Sequence, residues 1–478
     1  MEEEEKGPRY IKLVSRFLPV VVRPTFRQSF NQRIKWTILV LTIFLLLSHV
    51  TVYGLERTPE VAAGLEFYEL VLGSRMGSLV TLGIGPIVTA GILLQLLVGS
   101  KIIAWDTTKV EDREKFMFWN KFLAISFCFI EAVGFVVGGI IRVASEMLGI
   151  VIIQIAIGGI IVILLDEIVS KWGFGSGVSL FIAAGVGTQI MLGFLSPFTL
   201  PAITPDNPGP FVGRVLNFFT NIFAGETMLA LLSFLPIFFT IGIFLFVAYT
   251  DSVCIDVPLT FARLRGFGRI WSLKLLYTSV IPIILASALV ANLQLIARSG
   301  ATPQPGGISC GFLGCYDETG RIIWVEGKSN IVYYLSAPVA FVQQAVRGML
   351  APTELVRAIT YTLFLTTLAT IFSVFWVITS GMSAESVAEQ LSGSGMQIPG
   401  FRADKAAMKA YLDRYIPALA VLGGISIGLL ASFGDLTGAI GGGTGILLLV
   451  VIIHSLYEQL KREKLEEAHP LIRKLVSV

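Results

Sequence analysis

The sequence predicts an all-α, polytopic membrane protein of ten transmembrane helices arranged as two inverted five-helix halves. Three observations carry that reading. Hydrophobic residues make up 54% of the 478 residues and charged residues only 14%, against about 25% charged in a soluble domain. The apolar residues run in long unbroken stretches, giving a mean hydropathy of +0.78, rather than the alternation of a membrane β-barrel. Short glycine and proline motifs recur five spans apart, and an odd offset reverses direction through the bilayer.

A spanning helix needs about 20 mostly apolar residues. The first five such stretches fall at 34–53, 76–98, 117–141, 147–165 and 177–195; the second five fall at 228–250, 273–296, 353–379, 412–433 and 438–458. Residues 1–33 form an N-terminal segment and 34–195 the first half. Residues 196–227 form an external connection, 228–458 the second half with a long external loop at 297–352, and 459–478 a tail. The first span begins well inside the chain with no small-residue cleavage site after it, so no leader is expected. The basic stretch Tyr10–Leu18 suits either a surface amphipathic segment or a disordered tail.

Lysine and arginine set the orientation. The N-terminal segment, the connections after spans two, four, six and eight, and the C-terminal tail hold most of the 36 Lys and Arg. Both termini are therefore expected in the cytosol.

Several chemistries are excluded by what is missing. Three histidines (His49, His454, His469) form no HExxH pair, and no GxxxxGK[ST] phosphate loop occurs. No catalytic residue, metal site or cofactor is expected, and the chain is not read as an enzyme. Cys310 and Cys315 lie in the external loop, where an oxidising environment favours a disulfide over a free pair. The segment around Arg321–Val325 reads as a small β-hairpin. Cys128 and Cys254 are expected as free thiols.

The repeat pairs Gly175-Ser176-Gly177-Val178 with Gly443-Thr444-Gly445-Ile446, and Gly85-Pro86-Ile87-Val88 with Ile281-Pro282-Ile283-Ile284. Inverted halves place a working site at their interface, here between spans two, five, seven and ten. Those spans offer Ile84, Val88, Val178, Ile182, Ile284 and Leu448 between glycines. This set is either ordinary helix packing or an aliphatic constriction that closes around many polypeptides without specific hydrogen bonds. Glu131, Thr89 and Asn292 are the polar residues noted inside spans; a carboxyl there must face the protein interior.

Ser74–Gly91 resembles the second-helix signature of the SecY family of protein-conducting channels. Leu165–Lys171, Gly175-Ser176-Gly177, Gly400-Phe401-Arg402 and Gly441–Gly445 resemble further motifs of that family, in its archaeal and eukaryotic branch. The resemblance implies an hourglass channel hinged within 196–227. It implies a pore ring of Ile84, Val88, Val178, Ile182, Ile284 and Leu448, with Ile446 as the alternative in the last place. It implies a plug near 62–74, where Phe67, Tyr68, Leu70, Val71 and Leu72 supply apolar cover. Thr89, Glu131 and Asn292 match a lateral-gate polar cluster. Arg263, Arg265 and Arg402 match ribosome-docking loops, while Lys405 and Lys409 stay unassigned. The implied partners are SecE-like and Sec-beta-like small membrane subunits, the ribosome, nascent secretory and membrane polypeptides, and the lipid bilayer. The competing reading is a secondary transporter of a small solute, for which Glu131 would be essential. An intramembrane serine protease built on Ser176 has no histidine placed to support it.

Overall fold

The computed structural model describes residues 19–468 except 27, 56–74, 106–108, 139–140, 142, 200–209, 262–267, 279, 305–306, 318–320, 339–340, 394–395 and 398–404. Among the described residues, nine helices are long and apolar enough to cross a bilayer, and a tenth apolar helix is shorter. The chain is a multi-pass membrane protein.

In the first half, α1 is Phe30–His49, α2 Gly85–Gly99, α3 Val110–Val137, α4 Leu148–Trp172 and α5 Gly177–Leu195. Spans two and seven differ from expectation: span seven, read from 273, is strand through Lys274 and helical only from Ile281, and span two departs in a similar way. Its helix starts at Gly85, not near 76, and its 15 residues rise only about 22 Å. Turns occupy 75–84, with Gly77 and Gly83 at positive φ. This non-helical backbone is covered by protein: Val80 and Leu82 are fully buried, and the Leu79 carbonyl lies against Gly158 of α4, where an added Cβ would come within 1.7 Å. Irregular backbone at membrane depth persists only under such cover.

The connection expected at 196–227 contains a helix, α6 (Arg214–Phe223), whose Phe218 ring lies tilted 5.4 Å from that of Phe234. The two ends of the connection meet where the Gly213 N–H donates to the Ser196 carbonyl at 3.1 Å. In the second half, α7 is Thr227–Ser252, followed by β1 (Cys254–Phe261) and β2 (Gly268–Lys274), then α8 (Ile281–Ser299). The long loop builds β3 (Thr302–Gln304), β4 (Ile308–Cys310), β5 (Cys315–Tyr316) and β6 (Ile322–Ile323), then short helices α9 (Ile331–Leu335) and α10 (Phe341–Val346). The expected hairpin is thus part of a four-stranded antiparallel sheet of order β3-β4-β5-β6. Cys310 and Cys315 are joined by a disulfide; Cys128 is buried and free, Cys254 exposed and free.

The chain continues through α11 (Pro352–Thr379), α12 (Ala384–Gly393), β7 (Met396–Gln397), α13 (Lys405–Leu412), α14 (Ile416–Thr437) and α15 (Gly443–Ala468). β7 pairs with β1, so the connections after α7 and after α11 share one sheet of order β2-β1-β7. Buried Arg357 ties α11 to the long loop at 297–352. Its Nη2 donates to the Ala337 carbonyl at 2.8 Å, and its guanidinium lies 4.3 Å above the Tyr333 ring. At the N-terminal side, Lys171 Nζ donates to the Val21 carbonyl and Trp172 Nε1 to the Val22 carbonyl, holding the extended segment 19–26 against the end of α4. Arg33 of the first half pairs with Glu463 of the second. The stretch Tyr10–Leu18 lies outside the described residues.

Candidate functional site

Four helix starts build the site. α2 and α8 begin alike: their N-cap residues Ile84 (φ −87°, ψ −5°) and Val280 (φ −91°, ψ −4°) have the same backbone, and proline stands in the first turn of each, as Pro86 and Pro282. Proline suits that position because the first-turn N–H groups have no intrahelical acceptor. In this register Val88 corresponds to Ile284 and Thr89 to Leu285.

α5 and α15 also begin alike, in a register shifted by two residues from the sequence alignment. Gly175 (φ +72°) corresponds to Gly441 (φ +83°), and Gly177 to Gly443, the first residue of each helix. Neither helix start has room for a side chain. A Cβ on Gly177 would stand 2.5 Å from Asp166 Cα, and one on Gly443 would stand 2.1 Å from the Ala431 carbonyl oxygen. Each first turn is held by an aspartate of the preceding helix. Asp166 Oδ1 accepts the Val178 N–H at 2.9 Å, and Asp435 Oδ1 accepts the Gly443 N–H at 2.7 Å. The corrected register places Leu448 opposite Ile182 and Ile446 opposite Leu180.

Ile84, Val88, Ile182, Ile284 and Leu448 are all buried in one apolar cluster, with half-buried Val178 packed against it. Ile446 is buried there too, so burial does not separate it from Leu448. No polar side chain of this set is present to coordinate an ion.

Beside the cluster, three helices meet through polar groups. Thr89 Oγ1 on α2 donates to Glu131 Oε1 on α3 at 2.9 Å, and Asn292 Nδ2 on α8 approaches Thr89 Oγ1 at 3.5 Å. Glu131 Oε2 is buried without a hydrogen-bond partner among the described residues. Thr89 is adjacent in sequence to Val88, so this junction abuts the aliphatic cluster.

Other expected site residues fall elsewhere. Phe67, Tyr68, Leu70, Val71 and Leu72 lie outside the described residues, as do Arg263, Arg265 and Arg402. Lys405 and Lys409 are ion-paired with Glu389 and Glu385 at 2.9 and 3.0 Å. Sequence reasoning counted Glu131 as the intramembrane carboxyl and passed over Asp166, Asp435 and Asp251. The available signal was an acidic residue inside or bordering an apolar run. Asp251, at the end of α7, is buried and contacts His454 of α15 and, at 3.6 Å, Lys274 at the end of β2.

A family model described as SecY matches residues 78–457. The chain belongs to the SecY family. It is 40% identical over 461 residues to the protein translocase subunit SecY of Methanocaldococcus jannaschii, covering 96% of this chain and 98% of that one. It is 38% identical to the counterpart from Methanothermobacter thermautotrophicus, covering 95% and 96%. Among solved structures it is similar to one described as "The structure of a protein conducting channel", with a TM-score of 0.80 at 38% identity over 96% of this chain and 98% of that one. It is also similar to "Sec61 in the Canine ribosome-channel complex from the endoplasmic reticulum", with a TM-score of 0.76 at 38% identity and the same coverage. The SecY fold thus accounts for the ten apolar helices and the paired helix starts.

Proposed function

We propose that this chain is the pore-forming subunit of a Sec translocon, conducting unfolded secretory polypeptides across the membrane and releasing hydrophobic segments sideways into lipid. The observation that carries the reading is that aliphatic residues near the starts of α2, α5, α8 and α15 are buried together in one apolar cluster. Ile84, Val88, Val178, Ile182, Ile284 and Leu448 form the pore ring of this proposal. Such a ring yields to any side chain that passes and offers water and ions no ligands. A solute transporter needs polar ligands at the corresponding place, which is why the transporter reading is the weaker one.

The junction of Thr89, Glu131 and Asn292 is the polar part of the lateral gate. Its bonds join α2 and α3 to α8, so opening the gate breaks them. A segment exposed to lipid through that gate partitions by its own chemistry. A central Leu gains about 0.3–0.6 kcal/mol, and a central Lys, Arg or Asp costs about 2.5–3.5 kcal/mol. About twenty apolar residues leave sideways, and a polar chain continues across. The segment near 62–74 is the proposed plug, and 196–227 the hinge.

Both termini face the cytosol in this reading. The connections after α7 and α11, joined through the β2-β1-β7 sheet, carry Arg263, Arg265 and Arg402 toward ribosomal RNA phosphate. Lys405 and Lys409 are already paired with carboxylates, which argues against their docking. SecE-like and Sec-beta-like subunits complete the complex, and no cofactor or catalytic step is assigned.

Site-specific photo-crosslinking tests the reading. A probe replaces Ile84, the chain is reconstituted with its small subunits, and ribosomes stalled on a secretory or a signal-less chain are added. Crosslinks to the secretory chain alone are expected. Their absence, with ribosomes bound and the complex folded, overturns the channel reading.

A further inference from the structure

The first turns of α5 and α15 carry or precede the ring residues Val178, Ile182 and Leu448, and neither is capped locally. Ser176 stands at the N-cap of α5 but makes no side-chain cap hydrogen bond. Gly442, just before α15, has no side chain to offer. The orphan N–H groups of a helix start need acceptors, and in both halves the acceptor comes from a half-buried aspartate of the preceding helix. Asp166 Oδ1 takes the N–H of Val178, itself a ring residue. Asp435 takes the Gly443 N–H on Oδ1, and on Oδ2 the hydroxyls of Tyr361 at 2.6 Å and Thr444 at 3.3 Å.

This arrangement is more expensive than a serine cap. A half-buried carboxyl bordering an apolar run carries a desolvation cost that a local hydroxyl avoids. It nevertheless occurs twice, at corresponding places in the two halves, at the helices that bring ring residues to the centre. Both helix-start glycines allow the approach, since a Cβ on Gly177 would collide with Asp166 itself. We propose that Asp166 and Asp435 are positioning residues of the constriction: each fixes the height and phase of the first turn that presents a ring side chain, and the seal of the resting channel depends on both. The inference rests on the channel reading above.

The two sites differ in a testable way. Asp166 has a backbone donor on Oδ1, which the Oδ1 of asparagine still accepts. Asp435 has donors on both oxygens, so an asparagine amide group there faces the Tyr361 or Thr444 hydroxyl or the Gly443 N–H.

The test is the ion conductance of the resting complex, with its small subunits, in a planar bilayer. It is read beside translocation of a chain with a weakened signal. Asp166→Ala and Asp435→Ala are expected to raise the resting leak several-fold and to pass the weakened-signal chain. Asp166→Asn is expected to stay near the unmutated leak, and Asp435→Asn to resemble the alanine variant. A bulkier ring residue, Val178→Ile, added to Asp166→Ala is expected to lower the leak again, which a general loss of stability would not do. Tyr361→Phe removes one donor and leaves the carboxylate, so it keeps the Asp435 site testable if the alanine variant does not assemble; a smaller leak is expected. Ile182→Gly serves as the control. A leaking control with tight, assembled Asp166→Ala and Tyr361→Phe complexes overturns the positioning role and leaves the channel reading standing. A tight control overturns the channel reading itself.

Discussion

In the first half, α5 is entered through Gly175 and held by Asp166 of α4; in the second, α15 is entered through Gly441 and held by Asp435 of α14. α2 and α8 start with matching backbone angles and a matching proline. Away from these starts the halves diverge. Position 89 of α2 is a threonine bonded to Glu131, while its counterpart in α8 is the buried, apolar Leu285. Both described sheets belong to the second half, β2-β1-β7 leading into α8 and β3-β4-β5-β6 following it. The comparison teaches that the shared parts are those that need close backbone approach at the centre. The parts that differ are the polar junction at Thr89 and the connections between the long helices.

The shared starts are broken most strongly by adding one carbon. Gly177→Ala and Gly443→Ala each force a Cβ to within 2.5 Å or less of a neighbouring helix. Overpacking of this kind costs about 1–3 kcal/mol or more. Equal losses of thermal stability of the assembled complex are expected in the two halves. Gly187→Ala and Gly242→Ala meet no atom within 4 Å and are expected to be neutral or to gain up to about 1 kcal/mol of helix propensity. A large loss at one start alone would break the correspondence.

Next in size is the disulfide, which only the second half carries. Replacing Cys310 and Cys315 by serine reopens a short loop, a loss of about 2 kcal/mol in the chain-entropy account. Faster hydrogen exchange is expected over 302–323, with that of α2 to α5 unchanged. Exchange that rises in both halves would show that the external sheet steadies the whole channel.

The polar junction sharpens the asymmetry further. Thr89→Val and Glu131→Gln are expected to favour gate opening, with a coupling of about 1 kcal/mol in a double-mutant cycle on the opening equilibrium. Leu285→Thr on α8 is expected to show no coupling to Glu131. A Glu131 variant that abolished flux of one small solute would favour the transporter reading instead.

The smallest expected effect is a titration. Burial pushes the Tyr316 hydroxyl up to about 12, opposed in part by Arg298. Because the folded value is the higher one, its contribution to stability is full below the unfolded value near 10 and is lost as the pH rises toward 12. Hydrogen exchange in the external sheet should therefore quicken across that range, and Tyr316→Phe should flatten the response.

Much of this was legible in the sequence. Long apolar runs located the spans, because a bilayer-spanning helix must satisfy its backbone internally and cover it with apolar side chains. α5 begins and ends where the sequence placed it. The Thr89, Glu131 and Asn292 set was readable because polar groups inside apolar runs are rare. The start of α2 was not legible, since an apolar run does not say whether its backbone is helical. Turns at 75–84 persist because Gly158 lets α4 lie against the Leu79 carbonyl.

The sequence by itself therefore determined the class and most of the spans, which follow from which solvent each stretch tolerates. Tertiary structure alone decided the two-residue shift between Gly175 and Gly441, the capping of α5 and α15 by Asp166 and Asp435, the strand β7 on β1 and the helix α6. Each of these depends on a hydrogen-bond acceptor, a strand edge or a packing surface supplied by another part of the chain, and no local pattern records where that partner will stand.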